Sequence, residues 1–284
     1  MIKEFLDYLE VEKNYSKLTI KEYSYDLLLF QRFIKIDLLF SGSAEIRSFL
    51  AYLKRDKQYT ANTLLRKIAV LRSFYKFCLK NKKVSVNPID EIEQPKLPQR
   101  KAVYLTDQEK FVLFQTAKNK TYKIDGKRNY AILTLLYYTG LRVSELTNLT
   151  FNSIVLDGLE YIVKVIGKGN KERHIPLHNE AKYVLDIWLK DRPACKNSSI
   201  FTAHGKKITT RSIQYIIQNL AKEAGIEKNI TPHKLRHTFG TNLLLKGANL
   251  VNIQALLGHA NLNTTQIYVH TNKESLAKDI NKLS

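Results

Sequence analysis

"TPHKLRHTFG", residues Thr231 to Gly240, places two histidines and an arginine within five positions: His233, Arg236 and His237. Pro232 suits the first turn of a helix, where a backbone N–H has no intrahelical partner, and Thr231 can cap it with its hydroxyl. The stretch therefore reads as a helix start. Positions 233 and 236 are then i and i+3 on the opening turn. A helix start also favours anions through its unpaired N–H groups and its dipole. Three readings stand side by side: an anion site, a zinc site and a capped surface helix. Zinc would use His233 and His237 at i and i+4, but the glutamate of an HExxH pattern is absent and Arg236 would repel the metal.

The whole chain favours the anion. Its 284 residues hold 46 Lys and Arg against 26 Asp and Glu, a formal charge of +20, alongside an ordinary hydrophobic fraction of 44%. Such an excess opposes compaction, so a polyanionic partner is its natural explanation. Nucleic acid leads, an anionic membrane surface follows, and a merely basic protein is the plain alternative. Cys78 and Cys195 lie far apart with no neighbour at metal-ligand spacing, the usage of a reducing interior. The start "MIKEFLDYLEVEK" is not a signal peptide, and runs such as "AILTLLYY" are too short to span a bilayer. A cytoplasmic protein with no membrane partner is expected.

Residues 1–87 read as four amphipathic helices. Ile2, Phe5, Leu6 and Leu9 mark the first; Ser16 caps a second with Tyr23, Leu27, Phe30 and Ile34. Ser43 opens a third with Ile46, Phe49, Leu50 and Leu53. A fourth runs from about Thr60 with Leu64, Ile68, Leu71, Tyr75 and Cys78. Short loops make this a compact bundle. Residues 88–103, with Pro88, Pro95 and Pro98, read as an extended linker. Thr106 and Glu109 then have capping-box spacing. Residues 1–98 carry a net +6 and residues 99–284 a net +14, so both parts can face the polyanion as a clamp.

Beyond the linker, "DGKRNYAILTLLYYTG" is a helix ended by Gly140. "LEYIVKVIGKGNKERHIPL" alternates, with "GKGNK" as a hairpin tip. Helices return around Trp188 and in "TTRSIQYIIQNLAKEAG". The fold class expected is mainly α with a small β-hairpin or sheet.

An HxxR pair alone says little, but it has company. "YYTGLRVSEL" sets Arg142 just past a glycine-ended helix. "IGKGNKERHIPL" sets Lys168 at the hairpin tip. "LLGHANLNTTQIYVH" sets His259 at a loop entry and Tyr268 nine residues on. This set resembles the tyrosine recombinases, the phage integrase family, and is closest to their Xer branch. The family's signature of Arg, Lys, His-x-x-Arg, His and Tyr is filled in order, and "TGLRVSEL", "HKLRHTFGTNLLLKG" and "LLGHANLNTTQIY" match around it. The catalytic likeness covers roughly residues 104–275. The set is specific as a whole; one tyrosine among 16 would not be.

The resemblance implies a helical core-binding domain (1–87), the linker (88–103) and a mixed α/β catalytic domain (104–284) with a C-terminal tail helix. It implies that Tyr268 attacks a DNA phosphate to give a 3′-phosphotyrosyl link and a 5′-hydroxyl. The link conserves the phosphodiester energy, so no cofactor and no metal is needed. Arg142 and Arg236 would hold the non-bridging oxygens, His259 would add a hydrogen bond, Lys168 would protonate the leaving oxygen, and His233 would manage the proton near Tyr268. Glu145 matches an acidic position that orients His233 or an arginine, with a plain surface acid as the alternative. His237 also has a family counterpart and reads either as a support for the residues that touch the phosphate or as structural.

The implied partner is double-stranded DNA with a specific recombination site. It would be bound by a homotetramer, or by a heterotetramer with a second recombinase. The implied role is resolution of chromosome or plasmid dimers, with integration or excision of a mobile element as the alternative. No arm-binding domain is expected ahead of the four helices. Two other classes remain: a type IB topoisomerase relaxing supercoils, and a DNA-binding protein without catalysis. The tail spacing of Leu276, Ile280 and Leu283 suggests docking into a neighbouring protomer, which argues against the monomeric topoisomerase.

Overall fold

The structure is a computed structural model, and it describes residues 1–95, 104–157, 160–167, 172–258 and 279–283. The chain divides into two compact units, Met1–Lys101 and Ala102–Ser284.

The first unit is built from α1 (Ile2–Val11), α2 (Lys17–Ile34), α3 (Ser43–Arg55) and α4 (Ala61–Lys80). Ser16 and Thr60 cap α2 and α4 by accepting from Thr19 and Thr63 backbone N–H groups, so the starts lie where the hydroxyls predict them. The apolar stripes meet in one core of Phe5, Leu9, Leu27, Phe30, Phe49, Leu71 and Phe74. Lys67 is also buried, and its ammonium pairs with the buried Asp26 carboxylate at 2.7 Å, a charge placement that apolar periodicity does not reveal.

The expected linker differs at its start. Ile89 and Ile92 are buried in the first unit's core, and Asn87 donates to Asp90 at 3.0 Å. Two isoleucines three apart form a docking turn that the neighbouring prolines obscure. Residues 96–103 of that stretch lie outside the described residues.

The second unit is organised around α6 (Ile124–Thr139), whose residues from Tyr130 to Thr139 are all buried. A helix apolar on every side belongs in a core rather than on a surface. Around it stand α5 (Asp107–Lys118), α7 (Val143–Asn148), α8 (Asn179–Asp191), α9 (Thr210–Glu223), α10 (Pro232–Leu245) and α11 (Leu250–Leu257). Thr106 and Glu109 close the capping box of α5. The sheet has three antiparallel strands, β1 (Ile154–Asp157), β2 (Glu160–Ile166) and β3 (Glu172–Pro176), in that order. The hairpin predicted from sequence is β2–β3, with Val165 opposite Arg173. The third strand, β1, and a short pair, β4 (Thr202–Ala203) with β5 (Lys206–Lys207), were not expected.

The C-terminal end bears on a second expectation. Ile280 and Leu283 are buried in the second unit's own core. Asn252 donates to Asp279 at 2.6 Å, Lys110 reaches the Leu283 carbonyl at 3.4 Å, and Lys282 reaches that of Gly247 at 3.3 Å. The apolar spacing therefore has a use within the chain itself. Leu276 lies outside the described residues.

Candidate active site

Three elements meet at the C-terminal end of α11. Its last carbonyls lack intrahelical donors, as at every helix end, and Gly258 closes the helix in the left-handed conformation at φ 61°. Three arginines from three elements supply the donors. Arg173 of β3 donates Nε to the Leu256 carbonyl at 2.9 Å. Arg236 of α10 donates to the Leu257 carbonyl. Arg142, the residue before α7, donates to the Gly258 carbonyl at 3.1 Å. Consecutive carbonyls thus gather guanidiniums that lie far apart in sequence. They also face the negative end of the helix dipole, which favours cations there.

Arg236 is placed by the helix that the opening stretch predicts. Thr231 accepts from the Lys234 N–H, and Pro232 occupies the first turn. Arg236 points inward, and its second donor reaches the Gly140 carbonyl at 2.6 Å. Gly140 ends α6 at φ 60°, and a Cβ there would lie 2.5 Å from the Phe239 ring. Only glycine allows that turn and that contact together. Burial, and then the nearby Arg142 charge, depress the Arg236 pKa to about 10. The guanidinium stays charged at neutral pH in a site that disfavours added positive charge.

Glu145 is the counterweight. Its carboxylate is buried, and each oxygen receives two donors. Oε1 accepts from Arg142 Nη1 and Arg173 Nη1, both at 2.9 Å. Oε2 accepts from the Arg142 backbone N–H at 2.7 Å and from Arg173 Nη2 at 2.8 Å. Burial alone would raise its pKa, but the Arg173 fork and the Arg142 donors hold it at about 2. Of the two readings the sequence left for Glu145, orientation is the one its contacts match. It orients arginines rather than His233.

Three guanidiniums against one carboxylate leave positive charge in excess, and the donors that Arg142 and Arg236 do not use on these partners suit a further oxyanion. The arrangement can hold a phosphodiester and offset the charge that grows in a pentacoordinate state. His233 stands exposed on the first turn of α10. Among the described residues, no hydrogen bond joins it to Arg142, Arg236 or Glu145. Lys168, His259 and Tyr268 lie outside the described residues. His237 is exposed on α10, and Trp188 is core, donating to the Ile200 carbonyl at 3.0 Å. Among the described residues, no three His, Cys, Asp or Glu side chains cluster as metal ligands, and no helix is long and apolar enough to cross a membrane.

Arg173 escaped the sequence reading. The signal was present: strand alternation puts Arg173 on the same face as the buried Ile175, and an arginine on a buried face needs a carboxylate.

An arginine-lined oxyanion site on a mainly helical fold is one feature of the chain, and comparison with known proteins supplies its family. The chain belongs to the phage integrase family: the family profile matches residues 104–275, and that of the phage integrase N-terminal SAM-like domain matches residues 2–82. It is 38% identical over 282 residues to tyrosine recombinase XerC of Leptospira interrogans, across 96% of this chain and 89% of that one. It is also 38% identical over 296 residues to tyrosine recombinase XerD of Listeria monocytogenes, across 99% and 97%. A solved structure of XerH site-specific recombinase bound to a palindromic difH substrate shares the fold. The TM-score is 0.73 at 24% identity, over 98% of this chain and 83% of that one. The chain is an Xer-like tyrosine recombinase, an enzyme of the class that cuts and rejoins DNA with a tyrosine nucleophile.

Proposed function

We propose that this recombinase resolves chromosome or plasmid dimers in the cytoplasm by acting on a specific site in double-stranded DNA. Tyr268 attacks the scissile phosphate and becomes linked to the 3′ phosphate as the 5′ oxygen leaves. Arg142 and Arg236 hold the non-bridging oxygens, and His259 donates to the same oxygens. Lys168 gives the leaving oxygen its proton, and His233 manages the proton of the attacking hydroxyl. The link retains the phosphodiester energy, so a 5′-hydroxyl from a second duplex reverses the step and completes the exchange. Two duplexes and four cleavages call for a tetramer, either of this chain or of this chain with a second recombinase. Both the N-terminal helical unit and the basic catalytic unit bind the duplex, each with its own share of the positive charge.

The observation that carries this reading is the convergence of Arg142 and Arg236 on adjacent carbonyls at the end of α11, beside an ionised Glu145. The names of the two relatives support the Xer role over mobile-element transfer. The test begins by trapping the protein covalently on DNA of its own genome and sequencing what it holds. Two copies of the recovered site, in direct repeat on a supercoiled plasmid, should be resolved into two circles. Relaxation without resolution would indicate a topoisomerase instead.

A further inference from the structure

A carboxylate offers about four acceptor positions. In Glu145 all are filled: two by Arg142, through one side-chain nitrogen and the backbone N–H, and two by Arg173. Without a competitor, the strongest partner for a buried carboxylate is one arginine in a bidentate fork. Arg173 occupies that fork, and its Nε anchors it to the Leu256 carbonyl. Arg142 is left with one side-chain contact to Glu145, at Nη1, and with Nη2 on the Gly258 carbonyl. Its guanidinium is the more open of the two that share Glu145: the Arg142 side chain is 40% exposed, against 12% for Arg173.

We propose that Arg173 is a positioning residue for the phosphate site: by occupying the fork of Glu145, it keeps Arg142 oriented by that carboxylate but not captured by it. Arg173 touches neither DNA nor the reacting atoms in this account. It acts through Glu145, on the assumption that Arg142 binds the scissile phosphate as proposed above.

The test combines single and double variants on a nicked duplex carrying the recovered site. Arg173→Met frees two acceptor positions, and Arg142 should swing into a fork with Glu145. Covalent-complex formation at saturating DNA should slow by about 10- to 100-fold, the scale of a misplaced catalytic group. DNA affinity should change by less than about threefold, because the remaining phosphate contacts dominate it. Adding Glu145→Gln to Arg173→Met removes the capturing charge and should restore part of the rate. A double variant as slow as Arg173→Met, or an Arg173→Met enzyme cleaving at the wild-type rate, would overturn the inference.

If Arg173→Met does not fold, Arg173→Lys retains the charge without the fork and should show an intermediate rate; a wild-type rate there contradicts the fork argument. A crystal structure of either variant gives a reading independent of cleavage. Both terminal nitrogens of Arg142 on Glu145 are expected, and an unmoved Arg142 refutes capture. A wild-type protein that cleaves no DNA removes the proposed function itself, while the crystal structure still decides the role of Arg173.

Discussion

Arg236 donates a hydrogen bond of 2.6 Å to the carbonyl of Gly140, the residue that turns the chain out of α6 and towards Arg142. One contact therefore ties the two arginines of the candidate clamp to a single left-handed turn. Gly140→Ala should disturb both. A side chain in the left-handed region costs about 1–2 kcal/mol, and the Cβ would also press on the Phe239 ring at 2.5 Å. The expected loss is roughly 2–4 kcal/mol of stability, read from urea unfolding, together with slower cleavage. An alanine variant as stable and active as wild type would mean that the turn relaxes freely.

Glu145 gives a pH signature. Its carboxyl is held at about 2 in the folded chain, against about 4.3 in an unfolded one. A depressed folded value stabilises above the unfolded pKa, and that stability is lost as pH falls towards the folded one. The difference is worth about 3 kcal/mol at neutral pH. Urea midpoints of wild type should therefore fall more steeply between pH 5 and pH 2 than those of Glu145→Gln. Parallel profiles would show that Glu145 is not held so low.

How much of this was legible in the sequence depends on the kind of contact. Helix starts at Ser16, Thr60, Thr106 and Thr231 follow from hydroxyls beside apolar periodicity, because the signal and the interaction are both local. Arg142 and Arg236 were legible through the motifs around them. What brings them together was not: the partners are the carbonyls of Gly140, Leu257 and Gly258, and backbone carbonyls leave no mark on residue identity. The tail is a related case. Ile280 and Leu283 show an apolar spacing, but spacing cannot say whose core they fill.

The tail makes its own prediction. Ile280→Ala or Leu283→Ala should open a cavity in the catalytic unit and cost about 2–5 kcal/mol of stability. The loss should appear in a monomeric sample at low concentration. Stability unchanged in the monomer, with loss only in DNA-bound assemblies, would favour docking into a neighbour.

Salt and chelation probe the clamp as a whole. With a charge of +20 on the chain, binding should release many counterions. Affinity should fall by about 10³-fold or more between 50 and 200 mM salt. A nearly flat dependence would contradict binding of a duplex by the basic charge of both units. EDTA should leave cleavage unchanged, and a loss restored by zinc would reopen the histidine-ligand reading of His233 and His237.

Mapping the covalent adduct identifies the nucleophile itself. The protein is incubated with a nicked suicide duplex carrying its own site, digested, and the DNA-linked peptide is identified by mass spectrometry. The expected result is a 3′-phosphate joined to Tyr268, and no adduct from Tyr268→Phe although that variant still binds the duplex. An adduct on any other of the 16 tyrosines, or one that persists in Tyr268→Phe, would contradict it.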